Sequence, residues 1–234
     1  MNDSPEWTVL TWNVHGSHRP DISGLATAIK RETPDVVALQ EIRRSQASSL
    51  ASELGMQFSW ARKHSPYTRA IPWLTEGMAI MSPHALGAAG HTELSQSQRS
   101  WSWRRRIVQW ALVGRADSSA YLIYNTHLSP HNAPSERRAE ALRLADLVAE
   151  HGDETPVIVA GDFNDAHDGS IIYALPGVEH IVPTNTNPAS SPDQLLDHVL
   201  LPANAHHVTT TVPAGGRNWA ELSDHLPVTV RFQL

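Results

Sequence analysis

Apolar residues in this chain come in short runs that stop on polar side chains. Residues 7–12 alternate and are rich in β-forming types, which predicts a strand ending at Asn13, ahead of a turn at His15 and Gly16. Val36, Val37, Ala38 and Leu39 predict a buried strand that runs out at Gln40 and Glu41. The run over 156–161 ends on Asp162, Asn164 and Asp165, and a strand over 121–124 continues into Asn125, Thr126 and His127. Further strands are expected over 77–82, over 107–113 as the antiparallel partner of 121–124, and over 197–201, 208–212 and 227–232.

Helical spacing separates these runs. Ile22, Leu25, Ala26 and Ile29 repeat behind Asp21 and stop at Pro34. A second helix is expected over 45–54, ended by Gly55. The longest starts at Pro134 and Ser135, carries Ala141, Leu144 and Val148 on one face and stops at Gly152. Ile171, Ile172 and Leu175 predict a short helix, and 183–192 a polar loop. No repeat, low-complexity tract or linker divides the chain, so residues 1–234 are expected to form a single domain, an α/β sandwich. Direction constrains it further. Asn13, Glu41, His127 and Asp162 follow their strands, whereas Asp197 and Asp224 precede theirs. All can meet at one rim only if the last strands run opposite to the first, which requires a mixed sheet.

Composition sets limits on function. A length of 234 residues with 41% hydrophobic side chains suffices for one sizeable core. With 18 basic against 24 acidic residues the formal charge is -6, so no global field draws the protein to nucleic acid or an anionic membrane. The absence of cysteine excludes disulfide-linked partners, thiolate metal sites and a cysteine nucleophile. No segment has the length and apolarity of a membrane span, and the first residues lack a signal-like apolar stretch. A cytoplasmic monomer is the expectation.

Glu41, Asp162, Asp197 and Asp224 at one rim repel one another unless paired, protonated or bridged by a cation. Carboxylate and amide oxygens from Glu41, Asp224, Asn13, Asp162 and Asn164 suit Mg²⁺ or Mn²⁺. Zinc would want clustered imidazoles, and His206 and His207, adjacent in a strand, are expected on opposite faces. Each motif alone also reads as ordinary structure: Gly161-Asp162 to Asn164 as an Asx turn, Gln40 and Glu41 as a solvated strand end, Asp224-His225 as a capping carboxylate beside a surface histidine. Their joint occurrence, in an order that fits one rim, favours a site.

Thr11-Trp12-Asn13-Val14-His15-Gly16, Gln40-Glu41-Ile42, the segment from Glu76 to Ser82, Asn125-Thr126-His127-Leu128, Gly161-Asp162-Phe163-Asn164, Leu196-Asp197-His198-Val199 and Ser223-Asp224-His225-Leu226-Pro227 closely resemble the endonuclease/exonuclease/phosphatase superfamily. The resemblance spans essentially the whole chain. It implies a four-layered α/β sandwich of two mixed β-sheets flanked by helices, the DNase I-like fold, with the site at one end.

Carried onto this chain, the resemblance implies that Glu41 and Asn13, joined by Asp224, hold the metal. Asp162 would orient or deprotonate the attacking water, and Asn164 would fix that geometry and touch the phosphate. His225, paired with Asp197, would stabilise phosphoryl oxygens or assist proton transfer, and His127 would bind phosphate or protonate the leaving group. Arg106 resembles an arginine often seen near the family's site. Two departures stand out: His15 replaces an acidic residue of many relatives, and the histidine at 127 resembles the DNase I, sphingomyelinase and phosphatase branches rather than those that cut at abasic sites.

The function expected is a Mg²⁺- or Mn²⁺-dependent phosphoesterase, with a nuclease-like phosphodiesterase first. A phosphomonoesterase or lipid-headgroup phosphodiesterase is the alternative, and a non-catalytic binding module of the same fold ranks below both because no expected ligand or histidine is substituted. Nucleic acid, as a partner, would meet the local stretch from Arg99 to Arg106, where arginine and tryptophan interleave, although an arginine-rich edge strand is the plainer reading. Arg137 and Arg138 read as solvated helix charges, with one of them as a possible brace. Substrate choice falls to the loops over 63–76, 90–103 and 183–192.

Overall fold

The computed structural model describes residues 6–63, 75–95, 105–116, 120–152, 155–165, 175, 178–181 and 184–234. Its strands are β1 (Trp7–Asn13), β2 (Val36–Arg43), β3 (Gln57–Arg62), β4 (Glu76–Ser82), β5 (Ala85–Glu93) and β6 (Ile107–Gly114), followed by β7 (Tyr121–His127), β8 (Val157–Asp162), β9 (Val178–Ile181), β10 (Asp197–Pro202), β11 (His206–Thr211) and β12 (Val228–Gln233). The helices are α1 (Ile22–Glu32), α2 (Arg44–Leu54), α3 (Pro134–Gly152) and the single turn α4 (Arg217–Ala220). Among the described residues no helix is long and apolar enough to cross a membrane.

The strands form two six-stranded sheets, ordered β11-β12-β1-β2-β4-β3 and β5-β6-β7-β8-β10-β9. β1 runs parallel to β2 and antiparallel to β12, and β8 runs parallel to β7 and antiparallel to β10. Both sheets are therefore mixed, as the direction argument required. The ends of β1, β2, β7 and β8 and the starts of β10 and β12 lie at one rim.

Alternation along each strand builds the layers. Trp7, Val9, Val36, Ala38, Ile158, Ala160, Val199, Leu201, Val228 and Val230 pack between the sheets. Leu10, Trp12, Val37 and Leu39 face outward onto Leu25 and Ile29 of α1 and Ala47 and Leu50 of α2. Val157 and Val159 face outward on the other side, onto Ala141, Leu144 and Val148 of α3. The result is helix, sheet, sheet, helix, the four-layered sandwich. Asp21 caps α1 by accepting from the Ser23 N–H at 3.1 Å, and Gly55 ends α2 at φ 69, where a side chain would be strained.

β3, β5 and β9 were not expected from the sequence. All three are sheet edges. An edge strand with one flank in solvent needs no apolar alternation, and β5, with Gly87, Gly90 and several exposed positions, carries almost none. Of the short helix expected near Leu175, Ile171 and Ile172 lie outside the described residues.

Candidate active site

Period-two alternation aims the site. Asn13 continues the inward set of Trp7 and Val9, Asp162 that of Ile158 and Ala160, Asp197 that of Val199 and Leu201, and Asn125 and His127 that of Tyr121 and Ile123. Each of these polar side chains therefore enters the space between the sheets where the apolar core ends. Beneath them lies a floor of amides. Gln40 Nε2 donates to Asn125 Oδ1 at 2.8 Å and to Thr11 Oγ1 at 3.0 Å, and Asn125 Nδ2 donates to Gln109 Oε1 at 3.2 Å. Gln40 is fully buried, so the solvated strand end considered for it does not apply. Glu41 would face the helices by alternation. The register of β2 on β4 slips between Leu39 and Ile42, and Glu41 adopts φ 54. This bulge returns Ile42 to the helix side and brings Glu41 Oε1 to 3.7 Å from His127 Nδ1.

Asp162 is the hub. Its Oδ2 accepts from Asn13 Nδ2 at 3.0 Å and lies 3.6 Å from His127 Nε2 and 3.9 Å from His225 Nε2, while Oδ1 accepts from the Asn164 N–H at 3.0 Å. Burial pushes the Asp162 carboxyl up to about 6, with His225 pulling it down and Asp197 pushing it further up. Asp197 Oδ2 lies 2.7 Å from His225 Nδ1 and accepts from Thr186 Oγ1 at 2.6 Å. Burial disfavours charge on His225, but Asp197, Asp162 and Asp224 outweigh it and raise the imidazole to about 10. Trp12 Nε1 donates to the His225 carbonyl at 2.8 Å and Ser223 Oγ to that of Asn13 at 2.6 Å, which ties the start of β12 to the end of β1.

Asp224 is the most open of the site's carboxylates, its side chain 49% exposed against 22% for Glu41. His15, at φ 45, places Nδ1 3.3 Å from Asp224 Oδ1. The hydrogen bond to Asp224 holds His15 above its ordinary value; burial works against the Asp224 charge, yet His15 and His225 keep that carboxyl below its usual range. An imidazole thus stands beside that carboxylate. Glu41 and Asp224 offer carboxylate oxygens and Asn13 an amide oxygen that accepts from the His15 N–H at 3.1 Å, donors of the kind that suit Mg²⁺ or Mn²⁺. Ligand atoms of Asp162, Asp197 and His225 also lie within 4.8 Å of one another. There the Asp197 Oδ2 and His225 Nδ1 atoms are already engaged with each other, so that trio reads as a hydrogen-bonded relay rather than an ion cage.

Several residues at the site had no sequence signal. Lys63, read only as the start of a loop, is 2% exposed with Nζ 2.9 Å from His127 Nδ1. Thr186, inside a polar loop, is the second partner of Asp197. Glu140 on α3 accepts from both the N–H and Oγ of Ser129 at 2.8 Å, just beyond His127. Arg137, expected as a solvated charge with a brace as the lesser reading, is buried: it donates to the Pro130 carbonyl at 3.0 Å and lies 3.6 Å from Asp165 Oδ1, while Arg138 is exposed. The helical period that predicted α3 puts 137 and 140 on the same flank as 141 and 144, facing the loops after β7 and β8. Arg106 is also buried, desolvation lowering it while Glu140, Asp162 and Glu41 oppose that. Residues 99–104 lie outside the described residues. The rings of His206 and His207 do not diverge as expected: φ 51 at His207 breaks the pleat and brings their centroids to 5.0 Å. No third ligand joins them among the described residues.

The chain is 26% identical to YbhP, an uncharacterized protein of Escherichia coli (strain K12), over 254 aligned positions covering 97% of this chain and 96% of that protein. Its fold superposes on the mannosyl-6-phosphatase Bt3783 of Bacteroides thetaiotaomicron VPI-5482 with a TM-score of 0.78 at 18% identity, covering 97% of this chain and 100% of that one. On TDP2 from C. elegans the TM-score is 0.76 at 17% identity, covering 100% of this chain and 77% of that one. The family model described as "Endonuclease/Exonuclease/phosphatase family" matches residues 10–225, a span that runs from the first strand through His225, and the chain belongs to that family.

Proposed function

We propose that this protein is a divalent-metal-dependent phosphoesterase that cleaves phosphodiester bonds by attack of water. The observation that carries this reading is one buried carboxylate oxygen, Asp162 Oδ2, ringed by Asn13 Nδ2, His127 Nε2 and His225 Nε2. Asp162 is mostly ionised at neutral pH and takes the proton of the attacking water. The N–H of Asn164 fixes the other oxygen of that carboxylate, and its Nδ2 donates to the Leu128 carbonyl at 3.1 Å, tying the two loops of the site together. His225, held protonated by Asp197, donates to the phosphoryl oxygens as charge grows on them, and His127 donates from the opposite side. Glu41, Asp224 and Asn13 would hold a Mg²⁺ or Mn²⁺, which would supply charge neutralisation for the phosphate.

Hydrolysis of bis(p-nitrophenyl) phosphate with Mg²⁺, with Mn²⁺ and with EDTA tests the proposal. Turnover with either metal and its loss on chelation is the expected result; equal rates in all three conditions reject it. The net charge of -6 favours a second reading, a small-molecule phosphomonoesterase or lipid-headgroup phosphodiesterase, over a nuclease. Rates on plasmid DNA, sphingomyelin and inositol phosphates at one salt concentration separate them.

A further inference from the structure

The roles above leave His15 unused, although its turn meets the segments that carry all three oxygen donors. It follows β1 in left-handed backbone, φ 45 and ψ 53, which few residues other than glycine adopt. That shape aims the His15 N–H back at Asn13 Oδ1, 3.1 Å away, and its carbonyl forward to accept from the His18 N–H at 2.9 Å. Beside it Gly16 lies against the end of β2: a Cβ there would collide with the Glu41 carbonyl oxygen, and Gln46 Nε2 donates to the Gly16 carbonyl at 2.9 Å. The turn is thus fixed on both β1 and β2.

Its ring crosses to the third segment. His15 Nδ1 is 3.3 Å from Asp224 Oδ1, and the imidazole stacks on that of His18, with centroids 3.8 Å and planes 26° apart. The Ser223 hydroxyl also lies 3.4 Å from Oδ1, but its one proton goes to the Asn13 carbonyl at 2.6 Å. Among the described residues the His15 ring is therefore the side chain set against this oxygen. A half-exposed aspartate without such a partner turns freely, and the freedom it loses on holding an ion subtracts from affinity. With Oδ1 engaged, Oδ2 is left for the ion.

We propose that His15 is a positioning residue of the metal site, its backbone N–H fixing the Asn13 amide and its imidazole fixing the Asp224 carboxylate, so that two donors from opposite ends of the chain stand ready beside Glu41. This rests on the metal-dependent reading of the site. Outer partners of this kind orient the groups that hold a metal, and their loss weakens binding without removing a ligand.

Binding of Mn²⁺ to the full-length protein, read from the loss of the free-ion EPR signal, tests this without any turnover. The wild type is expected to take up Mn²⁺ and Glu41→Gln to lose that uptake. His15→Gly keeps the backbone N–H and suits the left-handed turn, so it removes only the ring. It is expected to weaken Mn²⁺ binding about tenfold or more, with the thermal midpoint in EDTA little changed. His15→Asn carries an amide nitrogen as many bonds from Cα as Nδ1 and also tolerates φ above zero, and it is expected to restore wild-type affinity. Equal or tighter binding in His15→Gly, or no recovery in His15→Asn, overturns the proposal and leaves the metal reading intact. Absent uptake in the wild type, or uptake that Glu41→Gln does not lower, rejects the metal reading and the proposal with it.

Discussion

Asp162, Asn164 and His225 were readable as chemistry because each terminates or opens an apolar run, and a side chain at such a point is either solvated or used. Alanine at each is expected to lower turnover on the order of a hundredfold or more while circular dichroism stays unchanged, since their losses fall on groups arranged around the reacting phosphate. Full activity in all three would refute the assignment. With the Asp162 carboxyl at about 6, the rate is expected to rise as pH rises through that value, because the base must be ionised. His225 also links pH to stability. Its folded value of about 10 lies above the ordinary histidine value of 6.5, so its contribution is complete below 6.5 and is lost as pH rises through 10. The urea midpoint of the wild type is thus expected to approach that of His225→Asn as pH is raised across this window, and a constant gap would contradict the pairing with Asp197. Lys63 and Thr186 gave no comparable signal. Each sits in a polar stretch where nothing local separates a solvated side chain from one folded inward.

Among the elements, α3 holds two of the site's loops. Glu140 satisfies both polar groups of Ser129, and Arg137 spans the Pro130 carbonyl and Asp165. Glu140→Ala strands the Ser129 N–H in a buried place and is expected to cost about 2–3 kcal/mol in chemical denaturation. A neutral result would show that water takes over. At the end of β8, Gly161 has φ 148, and a Cβ there would lie 2.0 Å from the Thr126 carbonyl oxygen on β7. Gly161→Ala is expected to lower the thermal midpoint by about 4 °C or more, equivalent to at least about 1–2 kcal/mol for a chain of this size. An unshifted midpoint would mean the β7–β8 pair can part at no cost. The sequence signalled the central strands through their unbroken apolar runs. It did not signal β3, β5 or β9, because edge strands are only half covered, nor the bulge at Glu41, because a slip of register is set by the partner strand rather than by the residues that slip.

Across the whole molecule, charge and architecture act separately. The fold gathers four carboxylates at one rim of an already acidic protein, so any hold on nucleic acid is local. Binding to DNA is expected to weaken with salt at a logarithmic slope of about -2 or shallower, the signature of at most about two phosphate contacts. A steep slope measured by fluorescence anisotropy would reveal a wider basic face. By itself the sequence determined which segments are buried strands and helices, that the sheets must be mixed, and which carboxylates and histidines compete for one rim. These follow from periodicity and from where apolar runs end, both local properties of the chain. Only the tertiary structure decided which of those groups touch: that Asp197 serves His225, that Lys63 reaches His127, that a bulge turns Glu41 inward, and that Arg137 and Glu140 brace the loops from α3. Most of these pairings join residues tens of positions apart, Lys63 and His127 being 64 apart. They depend on strand register and on the distance between packed layers, which no single segment encodes.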